Sequence, residues 1–214
     1  MKKSIFVIFI LLFFSQEGFS QIEYGYERSS KEPWKYGVVA NGTYDWSTQN
    51  QGVTKKFGFK AGFVAEKHLI YNIYFQPALT LSKKGFESTV TNGYESKING
   101  YFLSFDAAIQ LKFGDERLNR GFLITLAPYF TYGLWGNSSQ KGLNPINKDY
   151  NQTTTFNTFD ILSHEDIGFV LGAGYDFNKH WEVVANYYFG LLKMYSYGNN
   201  QRWRGFNVGL EYYF

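Results

Sequence analysis

Seven charged side chains are the residues of this sequence whose types and spacing could do chemistry together. Each falls in a stretch where apolar and polar residues alternate, so a strand would turn them all toward its polar face. They are Lys60, Glu66, Asp106, Lys112, Asp176, Glu182 and Glu211. Acids and bases on one face could carry protons or bind a ligand, or they could pair and fill a polar interior. The width of that interior decides between these interpretations.

Catalysis would need a nucleophile and an acid–base pair that converge on one place. The sequence has three histidines, of which His68 and His180 fall in predicted turns. His164 belongs to a polar run, 163–166, that includes a serine and two acids. Adjacent side chains on a strand point to opposite faces, so this run cannot form a triad by adjacency. Since the chain also lacks cysteine, the sequence predicts no catalytic residue, no metal site and no cofactor.

The elements that position these residues are strands, and the alternation is clearest from Tyr101 to Phe113. The odd positions are all apolar: Tyr101, Leu103, Phe105, Ala107, Ile109, Leu111 and Phe113. The even positions include Asp106, Gln110 and Lys112. A wholly apolar face opposite an acid, an amide and a base is typical of a strand with lipid outside and a polar lumen inside.

Seven further segments alternate in the same way, which gives eight predicted strands. These segments are 36–46, 57–65, 70–82, 122–134, 167–176, 181–190 and 206–214. The connectors alternate between short ones (66–69, 114–120, 178–180) and longer polar ones (47–56, 84–99, 136–163, 193–201). Outer-membrane barrels have short periplasmic turns and longer external loops. The pattern predicts an all-β fold, an eight-stranded antiparallel up-and-down transmembrane β-barrel with both ends in the periplasm.

Two features bear on this fold. Pro77 and Pro128 lie inside predicted strands, and each is expected to produce a bulge or to remove one rung of a ladder, because proline has no N–H to donate. A soluble β-sandwich is the alternative fold, and it would bury the apolar face of the Tyr101 to Phe113 strand under a second sheet.

The first residues indicate export. Lys2 and Lys3 precede an apolar run from Ile5 to Phe14, and small residues before position 21 predict cleavage between Ser20 and Gln21. The predicted organisation is therefore a signal peptide at 1–20, a short periplasmic segment at 21–33 and an outer-membrane barrel domain at 34–214.

Composition agrees with a barrel in the outer membrane. Aromatic residues make up 21% of the chain and there are 22 glycines, while the mean hydropathy is only −0.31. Such a barrel dilutes its apolar residues with polar ones and carries aromatic girdles at both interfaces. Trp46, Trp135 and Trp203 are predicted in the external girdle and Trp181 in the periplasmic one. A net charge of +3 gives no reason to expect nucleic acid as a partner.

Glycine and aromatic spacings resemble a known family. The segments are FGFKAGFVAEKHL, FQPALTLSKKGF, LAPYFTYGL, DIGFVLGAGYDF, NYYFGLLKM and the final NVGLEYYF. Together they resemble the PorT-like outer-membrane β-barrel proteins of Bacteroidota, often labelled porin-family proteins. The resemblance implies an eight-stranded barrel, and most members have no assigned biochemical role. The opening strand, YGVVANGTYDW, is only loosely similar.

The last strand ends in an alternating apolar series, Leu210, Tyr212 and Phe214. This series resembles the carboxy-terminal signal that the barrel-assembly machinery recognises, although any lipid-facing last strand would show the same alternation. The expected partners are therefore that machinery during biogenesis and outer-membrane lipid, with an envelope protein partner left open.

An eight-stranded barrel is just wide enough for its own side chains, so the seven charges are predicted to form a fixed polar network. The favoured function is a non-enzymatic outer-membrane protein with a structural, interaction or secretion-accessory role through its external loops. The alternatives are a narrow channel or small-ligand binder, which the small inward residues Gly168, Gly172 and Gly174 favour, and an outer-membrane enzyme.

Overall fold

The computed structural model describes residues 33–48, 53–90, 94–115, 120–143, 151–195 and 200–214. The predicted signal peptide and its Ser20–Gln21 cleavage site lie outside these residues. The strands are β1 (Lys35–Ser47), β2 (Val53–Ile70), β3 (Ile73–Val90), β4 (Tyr94–Asp115), β5 (Arg120–Trp135), β6 (Asn137–Leu143), β7 (Asn151–Asn157), β8 (Glu165–Asp176), β9 (Trp181–Gly190) and β10 (Trp203–Tyr213). A short 3-10 helix spans Thr158–Asp160. The described residues include no helix long and apolar enough to cross a membrane.

Eight of these strands close into a barrel. The order β1-β2-β3-β4-β5-β8-β9-β10 returns to β1, and every pairing is antiparallel. A path of paired residues that leaves β3 at Lys83 and crosses all eight strands comes back to β3 at Ile73, ten residues earlier. The barrel therefore has eight strands and a shear of ten. The predicted eight-stranded barrel is confirmed, and the sandwich alternative is wrong.

The wall of the barrel has its apolar side chains outside. In β5, Phe122 is 69% exposed and Ile124 is 52% exposed, while the alternate residues Leu123 and Thr125 are buried. Buried positions across the barrel hold many polar and charged side chains. A soluble protein would place these the other way round, so the outer surface is one that lipid covers.

The two prolines each remove rungs without a bulge. The ladder between β2 and β3 skips Pro77, and the ladder between β4 and β5 skips Pro128 and the residue before it. The pairing register is the same on both sides of each gap, so no residue is inserted there. Both prolines remain paired with their other neighbouring strand.

Two predicted loops are largely strand. The predicted loop 84–99 is wrong because β3 continues to Val90 and β4 already begins at Tyr94, with the two paired along this length. The predicted loop 136–163 contains β6 and β7, which pair with each other, and β6 also pairs with β4 from Glu95 to Lys97. These segments escaped the sequence pattern because strands that leave the membrane need no apolar face. We call the outer parts of β3 and β4, together with β6 and β7, the external sheet.

The two ends of the barrel differ in their connectors. The turn at residues 71–72, the connector at 116–119 and the turn at 177–180 lie at the end where β1 begins and β10 finishes. Short turns mark the periplasmic end of an outer-membrane barrel, so the external sheet lies at the cell surface.

Candidate functional site in the barrel lumen

Lys112 is the centre of a charged network near the periplasmic end of the lumen. Its Nζ lies 2.5 Å from Glu66 Oε2, 3.1 Å from Asp176 Oδ2 and 3.1 Å from Glu182 Oε2. The four residues come from β4, β2, β8 and β9, so the network ties together strands from around the barrel. Glu66 and Glu182 are fully enclosed. We call these four residues the lower network.

Neutral donors and one further lysine extend the lower network. Gln110 donates to Glu182 at 3.0 Å, and Lys35 Nζ lies 3.2 Å from Glu66 Oε1. Glu211, which is directly opposite Glu182 in the ladder between β9 and β10, accepts hydrogen bonds from Gln76 at 2.7 Å and from Tyr213 at 2.9 Å. Each carboxylate thus has a donor, which is what burial of charge requires.

The structure places all seven predicted charges inside the barrel but does not join them in one group. Glu66, Lys112, Asp176 and Glu182 form the lower network, and Glu211 adjoins it. Lys60 and Asp106 form a separate ion pair between β2 and β4. Paired charges of this kind stabilise a filled interior, and the geometry shows no arrangement of them around an unoccupied centre.

A second charged cluster, near the external end, was missed by the sequence analysis. Tyr188 donates its hydroxyl hydrogen to Asp45, and Tyr129 donates to Asp166 at 2.6 Å. Lys84 Nζ lies over the ring of Tyr188, 4.6 Å from its centroid, and 5.4 Å from the centroid of Tyr129. All five side chains are buried. We call them the upper cluster.

The signal for the upper cluster was the same alternation, continued past the predicted strand ends. Lys84 follows the inward positions Thr80 and Ser82, and Asp45 follows Asn41 and Thr43. Asp166 had been assigned to the polar run at a loop end, yet it directly extends the inward series that begins at Gly168.

An apolar plug lies above the upper cluster. It is built from side chains of β3, β4, β10, the 3-10 helix and the segment after β9: Phe86, Phe102, Phe159, Met194 and Trp203. The ring of Trp203 packs against Phe86 at 5.7 Å and Phe102 at 5.8 Å between centroids. We call these five residues the apolar cap, and they fill the external end of the lumen.

The predicted position of Trp203 in the external girdle is therefore wrong. Trp203 shares the inward face of β10 with Asn207 and Glu211, so parity turns it into the lumen. Trp135 and Trp181 are exposed on the outer wall, and Trp46 stacks there against Phe206 at 5.5 Å.

The polar run at 163–166 does not assemble a catalytic group. The ring of His164 is stacked between Tyr132 and Phe159, with centroids 5.4 Å and 4.6 Å away, and its Nδ1 lies 2.8 Å from the carbonyl oxygen of Gly133. Asp166 points into the lumen instead. His68 and His180 lie far away, in the turns of the periplasmic end, each bonded to a backbone carbonyl. The described residues contain no cluster of three or more potential metal ligands.

The inward glycines do not open a passage. A Cβ at Gly168 would meet the ring of Tyr129, one at Gly172 would collide with the side chain of Asn186, and one at Gly174 would touch Leu123. The space these glycines leave is filled by larger side chains.

The last strand presents its alternating apolar residues to the outside. Leu210 and Phe214 are exposed on the outer wall, and Tyr212 packs against Trp181 with centroids 4.8 Å apart. The backbone N–H of Phe214 donates to the carbonyl of Tyr36 at 2.9 Å, so the end of the chain is held by the start of β1.

Comparison with known proteins identifies the class of this barrel. A family model described as "Outer membrane protein beta-barrel domain" matches residues 19–196. The chain is similar to the crystal structure of Neisserial surface protein A (14% identity, TM-score 0.47) and to that of Ail, the attachment invasion locus protein of Yersinia pestis (12% identity, TM-score 0.46). Each alignment covers 86% of this chain and 100% of the other. No curated protein matches the sequence.

Proposed function

This chain belongs to the family of outer membrane protein β-barrel domains, and we propose that it is a closed, non-enzymatic barrel that acts by presenting its external sheet to a partner at the cell surface. The family places the protein in the outer membrane. The proposal concerns what it does there.

The observation that carries the proposal is that the lumen is filled from end to end. The lower network occupies the periplasmic end, the Lys60–Asp106 pair and the upper cluster lie further out, and the apolar cap occupies the external end. A barrel of eight strands has about enough room for its side chains alone. A narrow channel would need these groups to move aside, and ion pairs between several strands oppose that movement.

The external sheet is the surface best suited to binding. β6 and β7 pair along their whole length, and β6 joins β4, so the hairpin continues the barrel wall beyond the membrane. Within the described residues β7 pairs with β6 alone, which leaves its outer edge with backbone N–H and C=O groups available. Thr153, Thr154 and Thr155 are exposed along this strand. An edge of this kind can pair with an extended segment of another chain.

The test is site-specific photo-crosslinking in intact cells. A photoreactive residue at Thr154 on β7 should give a discrete adduct with a surface macromolecule. The same residue at Lys179, in a turn at the periplasmic end, should not give that adduct. Identical adducts from both sites, or none from Thr154 and its neighbours, would contradict a role for the external sheet.

Conductance tests the closed lumen separately. The purified protein in planar bilayers should show no stable unitary currents. Reproducible single-channel currents would instead support the narrow channel.

Two finer proposals rest on the sequence. We place the chain with the PorT-like proteins of Bacteroidota, supported by the glycine and aromatic spacings of its strands. We also propose that Leu210, Tyr212 and Phe214 form the signal read by the barrel-assembly machinery, supported by their common outward face. Deletion of Phe214 should reduce the heat-modifiable, folded protein in the membrane fraction, and unchanged assembly would contradict this proposal.

A further inference from the structure

Three cations stand on the outer, lipid-facing wall at the level of the external girdle. Lys55 Nζ lies over the rings of Tyr44 and Trp46, 5.5 Å and 4.9 Å from their centroids. Lys83 Nζ lies 5.8 Å from the centroid of Tyr101, which is also its partner in the ladder between β3 and β4. Positive charge at this place is not needed to fill the lumen, because these side chains point away from it.

The third cation, Arg204, has its donors committed to the protein. Its guanidinium lies over Phe189 and donates to the carbonyl oxygens of Gly190 and Trp203, at 2.7 Å and 3.0 Å. The two lysines differ from it. Among the described residues, no acidic side chain lies within ion-pair distance of Lys55 or Lys83, so their ammonium groups keep their full charge toward the surroundings.

The cations occupy one arc of the barrel. They lie on β10, β2 and β3, on either side of β1 with its Tyr44 and Trp46. Across the barrel, at the same girdle, β5 and β8 present Tyr132 opposite the acid Glu165. A cationic arc facing an arc that carries an acid is not what a general requirement for interfacial lysines would produce.

The wall directly below the two lysines is apolar and aromatic. Phe57 is 82% exposed and Phe59 is 45% exposed, both on the outward face of β2. Phe57 packs against Tyr44 and Phe59 against Tyr101, the same rings that hold the lysines. The pairing of β2 with β3 is irregular between Lys55 and Phe59, which is a bulge at this point of the wall. Charge above and ring faces below match a lipid with an anionic headgroup and acyl chains.

We propose that Lys55 and Lys83 form a binding site for a phosphate group of the glycolipid in the outer leaflet, with its acyl chains against Phe57 and Phe59. The location follows from the family, since the external girdle of an outer-membrane barrel meets the leaflet that is built of phosphorylated glycolipid. The aromatic rings hold the ammonium groups at headgroup level by cation–π contact and leave their outer side free for the phosphate. This site is separate from the external sheet and does not depend on the function proposed for that sheet.

The probe is a bis-phosphorylated lipid A, titrated against the mature barrel in detergent micelles and followed by native mass spectrometry. The wild-type protein should retain this lipid in preference to the same lipid after removal of its phosphates. The double variant K55Q/K83Q should bind it roughly tenfold or more weakly, because each lysine near an anionic headgroup contributes appreciably to binding. The conservative pair K55R/K83R keeps both charges and should bind like the wild type.

The control is K141Q/K179Q, which loses the same two charges from β6 and from a turn at the periplasmic end. It should bind lipid A as the wild type does. Circular dichroism in phosphatidylcholine vesicles should show that all variants fold, and each single variant, K55Q or K83Q, gives a further reading if the double variant does not.

Three outcomes would overturn the proposal. Equal losses in K55Q/K83Q and K141Q/K179Q would mean that net charge alone matters. Equal retention of phosphatidylglycerol would mean that any anionic lipid suffices. Displacement of lipid A by millimolar inorganic phosphate would identify a site for the free anion instead.

Discussion

The two ends of the lumen hold buried charge in different ways. In the lower network, the ammonium of Lys112 touches three carboxylates directly, at 2.5 Å to 3.1 Å. In the upper cluster, Lys84 lies against the faces of aromatic rings, and the carboxylates of Asp45 and Asp166 receive their hydrogen bonds from tyrosine hydroxyls. Both clusters fill the same kind of interior with opposite divisions of labour.

This difference determines what each lysine is worth. Removing Lys112 would leave three carboxylates facing one another without their shared cation. Removing Lys84 would leave Asp45 and Asp166 each with its tyrosine partner. We therefore expect the lower network to depend on its cation and the upper cluster to depend on its tyrosines.

The largest expected effect is that of Lys112→Met. Removing one partner from a buried ion pair costs about 3–5 kcal/mol, because the remaining charge is left uncompensated. Glu66, Asp176 and Glu182 would all be affected. The measurement is the free energy of unfolding from urea titrations in liposomes, followed by tryptophan fluorescence.

Lys35→Met is the matched control, since Lys35 also contacts Glu66. Its side chain is 41% exposed, and an ion pair that reaches solvent contributes at most about 1 kcal/mol. If the two substitutions destabilise the barrel equally, the direct contacts of Lys112 do not hold the periplasmic end together.

The next effect, in the upper cluster, is that of Tyr129→Phe. This change removes the hydroxyl that donates to Asp166 and leaves a buried carboxylate oxygen without that donor, at a cost of about 1.5–3 kcal/mol. Tyr187→Phe serves as its control, because Tyr187 is on the outer wall, with its ring packed on Phe206, and it should change the unfolding free energy by less than about 0.5 kcal/mol. Equal effects of the two would show that the Tyr129 hydroxyl does not support Asp166.

The sequence predicted the lower network well because its residues lie where the alternation is strongest. Lys112 closes the most regular strand, and Asp176 and Glu182 flank a short turn whose length left little freedom in the register. Wherever an apolar outer face accompanied the polar inner one, a period of two was enough to assign each side chain to a face.

The upper cluster and the external sheet were missed for a shared physical reason. The alternation is imposed by lipid, and it fades where a strand leaves the membrane, although the strand itself continues. Lys84 was therefore assigned to a loop, and β6 and β7 were invisible as strands. Trp203 shows the converse, since its inward face followed from the parity of β10 but its residue type suggested the girdle. Which charge pairs with which, across strands distant in sequence, depends on the shear of the barrel, and the sequence does not state it.

The smallest and most discriminating effect is that of Lys84→Met, the same substitution as Lys112→Met at the other end of the lumen. Methionine has a similar length, and its sulfur makes favourable contacts with aromatic rings, so it can occupy the place between Tyr188 and Tyr129. The loss is then mainly the cation–π interaction, about 2 kcal/mol at a desolvated site, less what the sulfur contact restores. The net cost in urea titrations in liposomes should be about 1–2 kcal/mol, well below that of Lys112→Met. The double variant Lys84→Met with Tyr129→Phe should cost more than the sum of the two single changes, because Asp166 would lose both its hydrogen bond and its nearby cation. A cost for Lys84→Met as large as that for Lys112→Met would mean that Asp45 and Asp166 rely on the lysine charge itself, and the two ends of the lumen would then work in the same way.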